Sequence, residues 1–91
     1  MPAALKKVPG GKTIKVEIWT KEGRIDKVLI SGDFFAYPPE ALEELEGALV
    51  GVEASPDAVR RVVKAFKGKL KVVGASLDDI AELVVQALRE V

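Results

Sequence analysis

The chain contains no cysteine and no histidine. The first absence removes disulfides and thiolate nucleophiles; the second removes the commonest general base, and together they exclude most zinc chemistry. Asparagine is also missing, Gln86 is the single glutamine, and methionine occurs only at position 1, beside many lysines and glutamates. Such depletion of thermolabile residues is a hyperthermophile pattern, so a thermophilic source is expected. No apolar run approaches the ~20 residues of a membrane helix, and the opening MPAALKKVPGGK has no signal-peptide core. A cytoplasmic protein with no membrane contact is expected.

What is present describes one ordered domain, residues 1–91: hydrophobic residues make up 48% and charged residues 31%, far from the balance of a disordered chain. Net charge is zero, but it is arranged in blocks. Residues 1–27 are mainly cationic, 28–59 carry seven anions and no cation, and 60–71 carry six cations and no anion. This order either presents acidic and basic faces to different partners or reflects solvated helix faces of alternating sign.

Ala3–Val8 reads as a strand ended by Pro9-Gly10-Gly11. Thr13–Thr20 alternates strictly, with Ile14, Val16 and Ile18 on one side. Lys21-Glu22-Gly23 fits a three-residue hairpin loop; that length pairs Trp19 with Ile25, Glu17 with Lys27 and Val16 with Val28. The inner face is then Ile14, Val16, Ile18, Val28 and Ile30. Pro39, followed by Glu40, Glu43 and Glu44, opens a first helix carrying Ala41, Leu42, Leu45, Ala48 and Leu49. Ser55-Pro56-Asp57 opens a second, with Val59, Val62, Val63 and Phe66 as its stripe. Leu70–Val73 is short and extended, and Ser76 with Asp79 opens a third helix bearing Leu77, Ile80, Val84, Ala87 and Leu88. The expected fold class is α+β: a three-stranded antiparallel meander followed by three helices packed on one face.

Catalytic constellations are not visible. Gly10-Gly11-Lys12 lacks the spacing of a phosphate loop, and Glu40, Glu43, Glu44 and Glu46 read as an exposed acidic helix face. Neither a catalytic nor a metal or cofactor site is assigned. The six cations of residues 60–71 raise nucleic-acid binding, but zero net charge and the lack of interleaved aromatics argue against it. Two features remain. Trp19 falls on the polar sheet face beside Ile25 and Leu29, where it either marks a partner surface or is half covered by neighbouring chain and lysine stems. In Gly32-Asp33-Phe34-Phe35, two adjacent aromatics cannot both enter one core, so one plugs the gap between sheet and first helix and the other is left for a partner. Asp33 either closes an Asx-turn or meets a cation across an interface.

The Gly-Asp-Phe-Phe sequence at 32–35, following two strands joined at a hairpin glycine, resembles the C-terminal domain of lipoate–protein ligases. The run Leu45-Glu46, Leu49 and Gly51 before an amphipathic helix is similar to the same domain, and the likeness covers nearly the whole chain. Gly10-Gly11 match the family's glycine-rich strand entry loosely, and the last helix resembles the family in character only. This domain is fused behind the catalytic domain in many ligases and is a separate small subunit in some archaea; a chain of this length with its own Met1 fits the latter. The resemblance implies that a catalytic subunit binds ATP, Mg and lipoate (or octanoate), forms the acyl-adenylate and modifies a lysine of a lipoyl-domain acceptor protein. This chain then packs over that site as a non-catalytic subunit, with Trp19, Asp33, Phe34, Phe35 and Tyr37 as the expected partner-binding residues. The competing reading is a generic α+β protein-binding or regulatory domain, such as an iron–sulfur-assembly helper without cluster ligands.

Overall fold

A computed structural model describes residues 3–8 and 12–90, with side chains from Thr13 onward. It is α+β, in the order β1 (Ala3–Val8), β2 (Lys12–Lys21), β3 (Arg24–Gly32), β4 (Phe35–Tyr37), α1 (Pro39–Leu49), α2 (Pro56–Lys64), β5 (Lys71–Val73) and α3 (Leu77–Arg89). The expected antiparallel meander is present as β1-β2-β3, but the expectation that helices alone follow it is corrected. The strands form two antiparallel sheets, β1-β2-β3 and a separate β4-β5 ribbon. The ribbon joins segments more than thirty residues apart, a pairing with no local signature in strands of three residues. The turn expected at Pro9-Gly10-Gly11 lies outside the described residues.

The hairpin register also differs. Glu22 and Gly23 both have positive φ, 53° and 78°, so the β2–β3 loop has two residues and not three, and Lys21 pairs with Arg24. A bulge follows: Thr20 pairs with Ile25 but Trp19 with Lys27, leaving Asp26 as the extra residue. Beyond it Ile18 pairs with Val28, Glu17 with Leu29 and Val16 with Ile30, two residues along from the expected pairing. A shift of two preserves which face each side chain takes, so Ile14, Val16, Ile18, Val28 and Ile30 are all buried as expected. The bulge adds Ile25 to them, against its expected place on the outer face.

Two helices cover the inner face and the third packs on them. α3 lies over β1 and β2, α1 over β3, and α2 packs chiefly against α3 and α1. Because α3 sits between sheet and α2, Leu83, Val84 and Val85 are buried in succession, which widens the single stripe read from its sequence. The Ser55 hydroxyl accepts from the Ala58 N–H at the start of α2 (3.3 Å), and the Ser76 hydroxyl accepts from the Asp79 N–H at the start of α3 (3.0 Å), both helix caps at their expected positions.

The free edge of β3 is occupied. Ile25 donates to the Val52 carbonyl (2.9 Å) and accepts from the Gly51 N–H (2.7 Å), while Ala54 donates to Gly23 (2.9 Å). Further along, the Ile30 N–H donates to Glu46 Oε2 at 2.7 Å. A connecting loop and a helix carboxylate thus satisfy backbone groups that would otherwise template strand pairing with another chain.

Candidate partner-binding surface

The segment that leaves β3 is held by a close backbone crossing. Gly32 pairs with Ile14, and the Asp33 N–H donates to the Thr13 carbonyl at 2.9 Å. A Cβ on Gly32 would stand 2.1 Å from that same carbonyl oxygen, so only glycine fits. The crossing fixes the direction in which the next residues emerge. Phe34 turns inward and, half-buried, packs against the core; Phe35 emerges 61% exposed.

Pairing of β4 with β5 then sorts the ribbon into two faces. Ala36 and Val72 pair and rest half-buried on the core. On the opposite face Phe35 pairs with Val73 and Tyr37 with Lys71. The rings of Phe35 and Tyr37 stack at 6.4 Å with 23° between their planes. Phe35, Tyr37 and Val73 are three of the five large hydrophobic residues that stand exposed among the described residues. Scattered exposed apolar residues need no explanation, but three sharing one face of a six-residue ribbon form a patch.

Beside this patch lies an open recess of about 580 Å³ lined by Tyr37, Pro38, Gly68, Lys69, Leu70 and Lys71. Lys69 Nζ stands 5.7 Å from the centre of the Phe66 ring. Elsewhere in the basic segment, Arg60 is paired with Glu82 through two hydrogen bonds (2.9 and 3.0 Å), and Lys67 with Asp78 at 3.4 Å. The hydrogen bond to Glu82, that carboxylate's charge and, more weakly, Asp57 hold the Arg60 guanidinium above its ordinary pKa against a small opposing effect of burial. These pairs weaken the cationic stripe that nucleic-acid binding would need.

Other expected site residues are placed differently. The Asp33 carboxylate makes no hydrogen bond or ion pair among the described residues, so the Asx-turn is absent and the group faces solvent. Trp19 is half-buried, with Lys27 Nζ 5.1 Å from its ring centre. The Trp–Ile–Leu patch is not formed, because Ile25 is in the core; Leu29 alone stands exposed. Glu17 pairs across the strands with Leu29 rather than Lys27, and its carboxylate bonds Lys15 at 3.1 Å. Trp19 lies at the hairpin end of β2, five residues or ~17 Å along the strand from the Ile14–Gly32 pair. The structure therefore brings Phe35 and Tyr37 together on one face, turns Phe34 to the core and leaves Trp19 apart. Sequence reasoning missed Val73, Lys69 and Lys71, whose place beside Tyr37 depends on the long-range β4–β5 pairing.

Among the described residues no cluster of Asp and Glu is arranged to hold a metal ion. None of the described helices is long and apolar enough to cross a membrane.

Residues 5–84 match the family model described as the bacterial lipoate protein ligase C-terminus. The chain belongs to that family. Among solved structures it is similar to a chain from an archaeal lipoylation system of Thermoplasma acidophilum, described as a bipartite lipoate protein ligase and its E2 lipoyl domain. Identity is 27% and the TM-score 0.69, over 96% of this chain and 92% of that one. None of the curated proteins matches it.

Proposed function

We propose that this protein is the accessory subunit of a two-component lipoate–protein ligase: it packs on a catalytic subunit and supports formation of lipoyl-AMP and pyrophosphate from lipoate and ATP. The observation that carries this reading is the family match over residues 5–84, supported by likeness to a chain of similar extent from a bipartite ligase. In this reading ATP, Mg and lipoate bind the catalytic subunit, and this chain supplies no reacting group. A lipoyl-domain acceptor protein is the second partner, met after adenylation.

Such a subunit works physically by excluding water from its partner's site and by favouring the partner's closed state. A ligand-like partner shifts that equilibrium only through contacts made better in the closed form, so its value lies in a well-built contact surface. The ribbon face of Phe35 and Tyr37 is assigned as the centre of that contact, with Phe34 and Asp33 setting its base. Trp19 is assigned to its margin, on the reading that the contact extends from the Gly32 crossing along β2 toward the hairpin end. A thermophilic origin fits the composition, and an archaeal one fits the Thermoplasma likeness.

Co-elution tests the assembly directly. Mixed with the catalytic ligase subunit of its own organism, the chain is expected to elute as a stoichiometric complex on gel filtration. Two separate peaks at micromolar concentrations would contradict the reading.

A further inference from the structure

The chemistry of the ribbon face identifies what its partner must offer. Phe35, Tyr37 and Val73 supply exposed apolar surface from two strands held in register. Lys71, directly opposite Tyr37, makes no ion pair or hydrogen bond among the described residues. Lys69 also lacks a carboxylate partner there and lies over the Phe66 ring. Both lysines line the recess next to Tyr37, and no acidic side chain lines it with them. The contrast with the neighbouring cations is informative: Arg60 and Lys67, on the helical side of the same basic segment, already have acidic partners within the chain. Arg61 and Lys64 on α2 are likewise without an acidic partner among the described residues, so two of the segment's four unmatched cations, Lys69 and Lys71, border the apolar patch.

We propose that the outer face of the β4–β5 ribbon, with Phe35, Tyr37 and Val73 as apolar anchors and Lys69 and Lys71 as a cationic border, docks onto an acidic surface of the catalytic ligase subunit. The inference rests on the accessory-subunit reading and adds to it the face used and the charge of the partner. Aromatic anchors supply most of an interface's affinity, because their desolvation is nearly complete at its centre. Rim cations contribute less affinity but steer encounter and make it salt-dependent. The two parts of the surface therefore leave different signatures in one experiment.

That experiment is calorimetric titration of the full chain into the catalytic subunit at about 50 mM and about 500 mM salt, on either side of the screening expected near physiological ionic strength. Phe35→Ala is expected to weaken binding about thirtyfold at both salts, the loss typical of an aromatic hot spot. The charge reversal Lys69→Glu with Lys71→Glu is expected to weaken it about tenfold or more at low salt, with the difference shrinking at high salt. Val50→Ser, an exposed apolar residue beyond α1, serves as control and is expected to bind as wild type. All these side chains are exposed, and unchanged circular-dichroism melts verify folding. Wild-type affinity in both variants, or binding insensitive to salt, overturns the proposed face. If those variants also support adenylation normally, the accessory-subunit reading survives while the docking face falls. If the wild-type chain neither binds nor stimulates the catalytic subunit, both fall together.

Discussion

Gly32 and Thr13 approach so closely that a single added methyl group would stand 2.1 Å from the Thr13 carbonyl oxygen. The glycine of the Gly32-Asp33-Phe34-Phe35 sequence is therefore a packing requirement, and the two aromatics inherit their directions from it. Gly32→Ala is expected to destabilise the fold by about 2–4 kcal/mol, since neither backbone can yield without disturbing the sheet. Gly23→Ala, also at positive φ but with no atom within 4 Å of the added carbon, is expected to cost only about 1 kcal/mol. Urea unfolding of both variants measures this; equal losses would show that the crossing is not what demands glycine.

Phe34 and Phe35 are neighbours with opposite tasks. Phe34→Ala removes contacts with the core and is expected to cost about 1–3 kcal/mol of stability, a reduced version of the loss for a fully buried ring. Phe35→Ala is expected to leave stability within about 0.5 kcal/mol, as for surface positions generally. Thermal or chemical melts separate them. A large loss at Phe35 would place its ring in the fold rather than on a binding face.

Glu46 ties α1 to the edge of β3 through its 2.7 Å bond to the Ile30 N–H. Glu46→Ala leaves that donor without its charged acceptor and is expected to cost about 1.5–3 kcal/mol, while Glu46→Gln recovers part of the loss. Glu43→Ala, on the exposed side of the same helix, is expected to change stability by less than about 0.5 kcal/mol. Amide exchange at Ile30 provides a second readout: protection there is expected to fall in Glu46→Ala, and unchanged protection would argue against the bond.

Leu83 is fully buried on α3, which packs between the sheet and α2, although it lies outside the stripe read from the sequence of that helix. Leu83→Ala is expected to cost about 2–5 kcal/mol, as much as truncation within the expected stripe. Denaturant unfolding checks it, and a loss below 1 kcal/mol would mean that α3 is not packed on two sides.

The buried set of the main sheet was legible in the sequence because alternation carries it. Ile14, Val16 and Ile18 face inward under any even shift of pairing, so the two-residue error in hairpin register left the core intact. What alternation could not carry was the bulge at Asp26, which turns Ile25 inward and removes it from Trp19. Helix starts were legible because Ser55, Ser76 and the prolines act locally. The ribbon was not, since its strands have three residues each and their pairing is fixed only once the chain between them has folded. The consequence for the site is direct: Phe35 and Tyr37 were recognisable from the aromatic loop, whereas their company with Val73, Lys69 and Lys71 is a property of the tertiary structure.

The accessory role is read out at its chemical step by ATP–pyrophosphate exchange in the presence of lipoate, using the catalytic ligase subunit of the same organism with and without this chain. Exchange is expected to be weak or absent with the catalytic subunit alone and to appear when this chain is added, saturating at equal stoichiometry. Exchange of the same rate in both mixtures would contradict that role.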